Sequence, residues 1–210
     1  MAEGRTIGPR PGFGKTSGHA GARVRARMCL LVTLLLAPLP AAAHEPAVAI
    51  EDAGGGCHVR GAFRAPVPAA VAWQVLTDYD HIGDFVSSVR SSKLERGADG
   101  SLRLRQDAVG GFFLFHRRVQ VLLDLHEEPG TRIRFRDVLG KDFRDYAGEW
   151  RLAADSTGTH VDYELRAEPR GRVPRMVCRS MLRGVARDLL EQVRSEMLRR
   201  VEARGDERPD

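Results

Sequence analysis

The chain has 210 residues, which suits one globular domain with room for a further segment, and its formal net charge is +5. The positive excess lies in residues 1–43, which contain six basic side chains and one acidic one and leave 27 of each elsewhere. A domain without net charge lacks the basic excess that nucleic-acid binding uses, so we expect no nucleic-acid partner.

The first predicted element is an export signal. A basic stretch, 23–27, precedes twelve mostly apolar residues, 28–39, and three alanines follow at 41–43. This order is typical of a signal peptide, and twelve residues are too few to cross a bilayer as a helix. We expect cleavage after Ala43 and a periplasmic or secreted protein that begins at His44; a buried core helix is the alternative.

Residues 44–56 are expected to form a linker or a short edge segment, since Gly54-Gly55-Gly56 is a flexible break. Residues 57–65 then alternate between two faces. A period of two residues predicts a strand. Its predicted inward residues are Val59, Gly61 and Phe63.

Two short helices are predicted next. Pro68 can begin a helix because its missing N–H has no intrahelical partner there. The apolar residues of this helix form i, i+4 pairs: Val71 with Val75, and Ala72 with Leu76. Asp78 and Asp80 suit N-cap positions for a second helical turn through residues 82–85.

From residue 86 onward the pattern is that of an antiparallel sheet. Turn-forming pairs such as Gly110-Gly111 and Pro129-Gly130 separate six apolar or alternating runs: 86–96, 102–109, 112–126, 131–139, 146–154 and 160–168. Because several runs alternate cleanly, one face of the sheet should be apolar and the other solvated.

The stretch 173–205 has apolar residues at a period near 3.6, which predicts a long amphipathic helix. Pro174 suits its first turn and Gly205 its end. Four arginines recur at intervals of four on its polar side: Arg175, Arg179, Arg183 and Arg187. They either attract anionic lipid headgroups or form a solvated face in a chain that uses arginine almost everywhere in place of lysine.

These elements predict an α+β domain over 57–204, with a tail at 205–210. Two short helices follow the first strand, and a seven-stranded antiparallel sheet wraps around the C-terminal helix. A sheet this wide twists and coils, so it contacts the helix along a line and leaves space on either side. A ligand could bind in that space.

The segment 69–96 resembles the opening of polyketide cyclase/dehydrase-like and coenzyme Q-binding START-type domains of the SRPBCC superfamily. The matching residues are Thr77-Asp78-Tyr79 and Asp80-His81-Ile82, and later pieces such as 148–152 are also similar. The resemblance covers about residues 57–203 and implies the helix-grip fold. It implies no particular chemistry, because the superfamily includes lipid carriers, quinone-binding proteins and aromatase/cyclases.

Candidate ligand contacts are residues expected to face the cavity: Phe85, Phe112, Leu114, His116, Phe135, Trp150, Tyr163, Met181, Val185 and Leu189. Tyr163 offers an apolar body and one hydrogen-bonding tip, although core packing is the alternative. His116 is more often structural than catalytic in such a strand. Asp137 either points inward with Phe135 or lies in water at the end of the sheet.

After removal of the signal, Cys57 and Cys178 are the cysteines that are left. They either form a bridge in an oxidising compartment or stay unpaired as small apolar residues. The chain has no G-x-S-x-G, phosphate-loop or H-E-x-x-H motif, so we expect no catalytic set, cofactor or metal.

The leading interpretation is an exported binding or carrier protein for a hydrophobic small molecule, such as a lipid or quinone, held between sheet and helix. An anionic membrane surface is a further expected partner. Two alternatives stay open: a polyketide cyclase/dehydratase-like enzyme, and a protein-interaction module without a ligand.

Overall fold

The computed structural model describes residues 46–53, 56–112, 115–171 and 174–206. The expected export signal and the cleavage position after Ala43 lie outside the described residues. Within those four ranges, none of the helices combines the length and the apolar character that spanning a membrane would require.

One antiparallel sheet has the strand order β1-β2-β8-β7-β6-β5-β4-β3. Its strands are β1 (Ala47–Ala53), β2 (Gly56–Ala65), β3 (Val89–Arg96), β4 (Leu102–Phe112), β5 (Phe115–Glu128), β6 (Arg132–Asp137), β7 (Phe143–Asp155) and β8 (Gly158–Pro169). The sheet therefore has eight strands and not the expected seven. The additional strand is β1, which lies at the edge of the sheet within residues 44–56 and whose Val48 and Ile50 pack toward the core.

The turn expected at Gly110-Gly111 was wrong. Both glycines lie within β4, where Gly110 pairs with Arg117 and Gly111 pairs with His116 of β5. An antiparallel ladder uses backbone groups, which glycine has in full, so the pairing continues through these residues to Phe112.

Three short helical segments follow β2: α1 (Ala69–Leu76), a 3₁₀ turn (Tyr79–His81) and α2 (Ile82–Phe85). The four apolar residues predicted to pair along α1 are all buried. Asp78 occupies the N-cap position of the 3₁₀ turn, as predicted, but its side chain makes no capping hydrogen bond; the N-cap position predicted for Asp80 was wrong, because Asp80 lies within the turn. Asp78 instead accepts a hydrogen bond from Arg200, and Asp80 accepts one from the backbone N–H of Leu94.

The long helix α3 (Arg175–Asp206) has 32 residues and begins directly after Pro174. At 1.5 Å per residue it is about 48 Å long. It contacts β1 and β2 at one edge of the sheet and also β4, which lies beside the other edge. One straight helix can reach strands that far apart only if the sheet curves around it, which confirms the helix-grip arrangement.

Gly61 of β2 and Leu190 of α3 are in close contact where the helix packs on the sheet. A side chain at Gly61 would collide with the Leu190 side chain, which is completely buried. A disulfide between Cys57 and Cys178 joins the same strand to the beginning of α3, with the two Cα atoms 6.7 Å apart. Of the two states that the sequence allowed for these cysteines, the structure has the bridged one.

Candidate functional site: the cavity between sheet and helix

A cavity of about 230 Å³ lies between the curved sheet, α1, α2 and the part of α3 from Cys178 to Val193. Its walls come from the inward residues of β4 to β8 and from α3. The lining is apolar apart from a few neutral polar side chains: Tyr79, Ser88, Gln106, Tyr146, Trp150 and Tyr163. Among the described residues that line it, none is charged. Such a surface favours an uncharged hydrophobic occupant.

Seven of the predicted ligand contacts line this cavity. They are Phe85, Phe135, Trp150, Tyr163, Met181, Val185 and Leu189. Leu114 and the side chains of Phe112 and His116 lie outside the described residues, so their placement stays a prediction. The inward-facing strand residues and the apolar stripe of α3 thus line one cavity. That a ligand contacts these residues stays a prediction.

Five aromatic rings form a continuous cluster in the wall made by β6, β7 and β8. The ring centroids of Phe143 and Tyr146 are 4.7 Å apart, and those of Tyr146 and Phe135 are 6.1 Å apart. Tyr163 lies 6.4 Å from Phe135 and 4.4 Å from Trp150. These are the spacings at which aromatic rings attract one another.

Phe143 and Tyr146 are the cluster members that sequence reasoning missed. Tyr146 has the same parity as Trp150, four residues further along β7, and this signal was available in the sequence. Phe143, in contrast, lay outside the strand expected at 146–154, because β7 begins at Phe143.

The two tyrosines of the cluster are held in the neutral form. Burial raises the pKa of Tyr146 to about 12, with a further contribution from the Asp137 carboxylate. Burial also raises the pKa of Tyr163 well above its usual value of about 10. Both hydroxyls therefore keep their protons at physiological pH and can donate hydrogen bonds.

Asp137 is the half-buried last residue of β6, at the end of the strand, and does not line the cavity. Its carboxylate accepts hydrogen bonds from the backbone N–H groups of Leu122, Leu139 and Gly140, at 3.0 to 3.1 Å. These bonds hold the turn after β6 and compensate the partial burial of the charge. Parity alone could not show this, because the partners are backbone groups of a neighbouring strand and of the following turn.

Tyr79 is at the border of the cavity and differs from the other two tyrosines, because its hydroxyl donates a hydrogen bond of 2.6 Å to Glu127. Burial and this carboxylate together raise the pKa of Tyr79. Thr77 donates to the carbonyl of Trp73, and Asp78 forms an ion pair with Arg200 at 2.6 Å. The Thr-Asp-Tyr segment thus connects α1 with β5 and α3.

Comparison with known proteins identifies the family. The chain belongs to the family described as polyketide cyclase / dehydrase and lipid transport, which matches residues 65–194. This membership points to a hydrophobic ligand. No curated protein matches the chain.

Solved structures support the fold. A STAR-related lipid transfer protein from Xanthomonas axonopodis has a TM-score of 0.60 at 21% identity, covering 74% of this chain and 94% of that one. Human STARD10 has a TM-score of 0.61 at 13% identity, with 78% and 74% covered. The Zhui aromatase/cyclase of Streptomyces sp. R1128 has a TM-score of 0.58 at 18% identity, with 70% and 97% covered. The resulting class is a START-like helix-grip domain.

Proposed function

We propose that this protein binds or carries a hydrophobic small molecule, a lipid or a quinone-like compound, in the cavity between the sheet and α3. The observation that carries the proposal is the cavity itself, whose described lining is apolar and uncharged. Burial of apolar ligand surface supplies affinity at about 25 cal/mol per Å² before the costs of association are deducted. The names of the STAR-related and STARD10 neighbours accord with such a role.

An enzymatic role is the alternative that the aromatase/cyclase neighbour suggests. A cyclase needs a group that moves a proton at the substrate, with a pKa near the working pH. The tyrosines of the aromatic cluster have their pKa raised away from that range. We therefore favour binding without chemical change.

We also propose that the protein acts outside the cytoplasm. Two independent features support this: the signal-like segment up to Ala43, and the disulfide between Cys57 and Cys178, a bond that persists in oxidising compartments. Cell fractionation followed by N-terminal sequencing should find a chain that begins at His44. An uncleaved chain recovered from the cytoplasm would contradict this proposal.

A membrane surface is the proposed source or destination of the ligand. Val138 and Leu139 after β6 and Met176 and Val177 at the start of α3 are exposed apolar residues. The segment after β8, which leads toward α3, bonds to the turn after β6 through Arg170 and the carbonyl of Gly140, so we expect both pairs at the same end of the domain. Exposed apolar residues near the arginines of α3 are suited to binding an anionic lipid surface.

Vesicle flotation tests the membrane proposal. Changing Met176→Ser and Arg183→Glu together should weaken binding to phosphatidylglycerol vesicles several-fold, because one apolar anchor and one positive charge are lost. The matched control is Arg103→Glu, an exposed arginine on β4. Equal binding by both variants and the unmodified protein would contradict the proposal.

Native mass spectrometry of the protein purified from the exported fraction tests the main proposal. We expect an adduct that is released on denaturation and is identified, after extraction, as an intact hydrophobic compound. An empty protein that binds none of the lipids or quinones extracted from its own cells would favour the interaction-module alternative. A compound recovered in converted form would favour the enzyme.

A further inference from the structure

Three tyrosines line the cavity, but they differ in what their hydroxyls bind. The Tyr79 hydroxyl is occupied by Glu127. The hydroxyls of Tyr146 and Tyr163 donate to none of the described residues, although only 5% of the Tyr163 side chain is exposed. In the described part of the chain, no buried side-chain oxygen is both sealed off and unpaired. The Tyr163 hydroxyl is therefore not sealed off, and its side chain stands in the aromatic wall of the cavity.

The uncharged lining of the cavity limits which ligand group can form a hydrogen bond with these hydroxyls. Arginine, lysine and histidine are absent from the described lining residues, and so are aspartate and glutamate. A buried carboxylate or phosphate without a cationic partner costs several kcal/mol. A neutral oxygen with free lone pairs avoids this cost and can accept from a tyrosine hydroxyl.

Aromatic rings flank the rings of the two tyrosines that carry these hydroxyls. Tyr163 lies between Trp150 and Phe135, and Phe135 also contacts Tyr146. A flat conjugated ligand can stack against such rings, whereas a saturated chain gains only from burial of its surface. The hydroxyl donors and the aromatic rings thus both favour a flat conjugated ligand that carries a neutral oxygen acceptor.

We infer that Tyr146 and Tyr163 form a hydrogen-bond-donating subsite that selects ligands whose buried part is an uncharged, flat ring system with a carbonyl oxygen. This inference rests on the proposed binding function and narrows it to a ligand class. A fatty acid or phospholipid could enter only with its charged group outside the cavity.

Three probes with one carbon skeleton test the subsite: fluorenone, which carries the carbonyl; fluorene, which lacks it; and fluorenecarboxylate, which is charged. Affinities are measured by quenching of Trp150 fluorescence in protein with an intact disulfide and Trp73→Phe, so that Trp150 is the reporting tryptophan. Changing Tyr146→Phe and Tyr163→Phe together should weaken fluorenone binding about tenfold and alter fluorene binding less than about twofold. Fluorenecarboxylate should bind at least about 100-fold more weakly than fluorenone.

A spectroscopic readout keeps the test independent of how well the variants fold. The infrared carbonyl stretch of fluorenone bound to the unmodified protein should lie below its value in hexane, because a hydrogen bond weakens the C=O bond. An unshifted stretch, or equal losses for fluorenone and fluorene in the variants, would overturn the subsite and leave the proposed function intact. Failure of all three probes to bind would count against the binding function itself.

Discussion

Leu190 divides α3 into a first half, 175–189, and a second half, 190–206, which have one amphipathic pattern but different surroundings. In the second half Leu190 and Met197 are completely buried, and Val193, which also borders the cavity, is 3% exposed. In the first half Met181, Val185 and Leu189 are only partly buried and face the cavity. The same apolar stripe is thus mostly core at one end and mostly cavity wall at the other, and Leu190 packs against β2 where Gly61 has no side chain.

This contrast explains how a small domain can be stable and still contain a cavity. The second half supplies tight packing and an ionic network, while the first half is attached by the disulfide at Cys178. Stability and binding should therefore respond to different substitutions along the same helix.

Removal of the disulfide should have the largest effect. Changing Cys57→Ser and Cys178→Ser should lower the free energy of unfolding by about 2–5 kcal/mol, because the bridge closes a loop of 121 residues and limits the unfolded chain. Urea unfolding measures this loss, and reduction of the unmodified protein should reproduce it. A variant as stable as the unmodified protein would show that the first half of α3 is held by packing alone.

The adjacent residues Leu190 and Leu189 provide a matched pair of substitutions, one in the core half of α3 and one in its cavity half. Leu190→Ala should cost about 3 kcal/mol of stability, since it creates a void in a fully packed site. Leu189→Ala should cost less than about 1 kcal/mol but weaken ligand binding. Thermal unfolding and ligand titration of both variants check this. Equal losses of stability would mean that the two halves of α3 do not differ in packing.

The contrast between the halves of α3 was only partly predictable from sequence. Periodicity was enough for the helix, for most of the strands and for most of the described cavity residues, because burial repeats with the geometry of each element. Periodicity could not separate Leu189 from Leu190, which belong to one stripe. That distinction depends on how far the curved sheet stands from the helix, and the curvature is a property of all eight strands together.

The other incorrect predictions each have a specific cause. The roles of Asp78 and Asp137 depend on partners far along the chain or in the backbone, which a single sequence does not display. Phe143 was missed because the strand was expected to begin three residues late, at residue 146. Boundaries are decided by pairing with neighbouring strands, and β7 pairs on both sides.

The ionic network in the second half of α3 should give a smaller, pH-dependent effect. Arg200 bonds to Asp78 at 2.6 Å and to the buried Glu196 at 2.7 Å. Burial alone would raise the pKa of Asp78, but hydrogen bonds from His81 and Arg200 lower it overall. The pKa of Glu196 is lowered mainly by its hydrogen bond with Arg199, against the effect of burial, and also by Arg200.

Because both folded-state pKa values are depressed, the stabilisation is fully present above the unfolded pKa of about 4 and is lost as the pH falls through the folded values. The variant Asp78→Asn with Glu196→Gln should be about 1 kcal/mol less stable at neutral pH and should lose less on acidification. Urea unfolding between about pH 3 and pH 7 measures both. An unchanged pH profile would contradict a stabilising role for this network.

The smallest expected effect concerns Gly184, an exposed glycine in the first half of α3. No atom lies near the position of an added side chain. Gly184→Ala should raise stability by about 0.5–1 kcal/mol, because alanine loses less conformational entropy in a helix. Thermal unfolding detects this gain, and ligand affinity should stay the same. A loss of affinity would show that binding needs a flexible first half.

Three methionines of α3 allow the central claim to be tested in one measurement. Met176 is 83% exposed, Met181 lines the cavity and Met197 is completely buried in the core. A methyl NMR spectrum of methionine-labelled protein is recorded with its co-purified ligand and again after the ligand has been extracted. We predict that the Met181 signal shifts while those of Met176 and Met197 stay in place. If Met181 does not respond, or if Met197 shifts as much, the ligand does not bind in the cavity between sheet and helix.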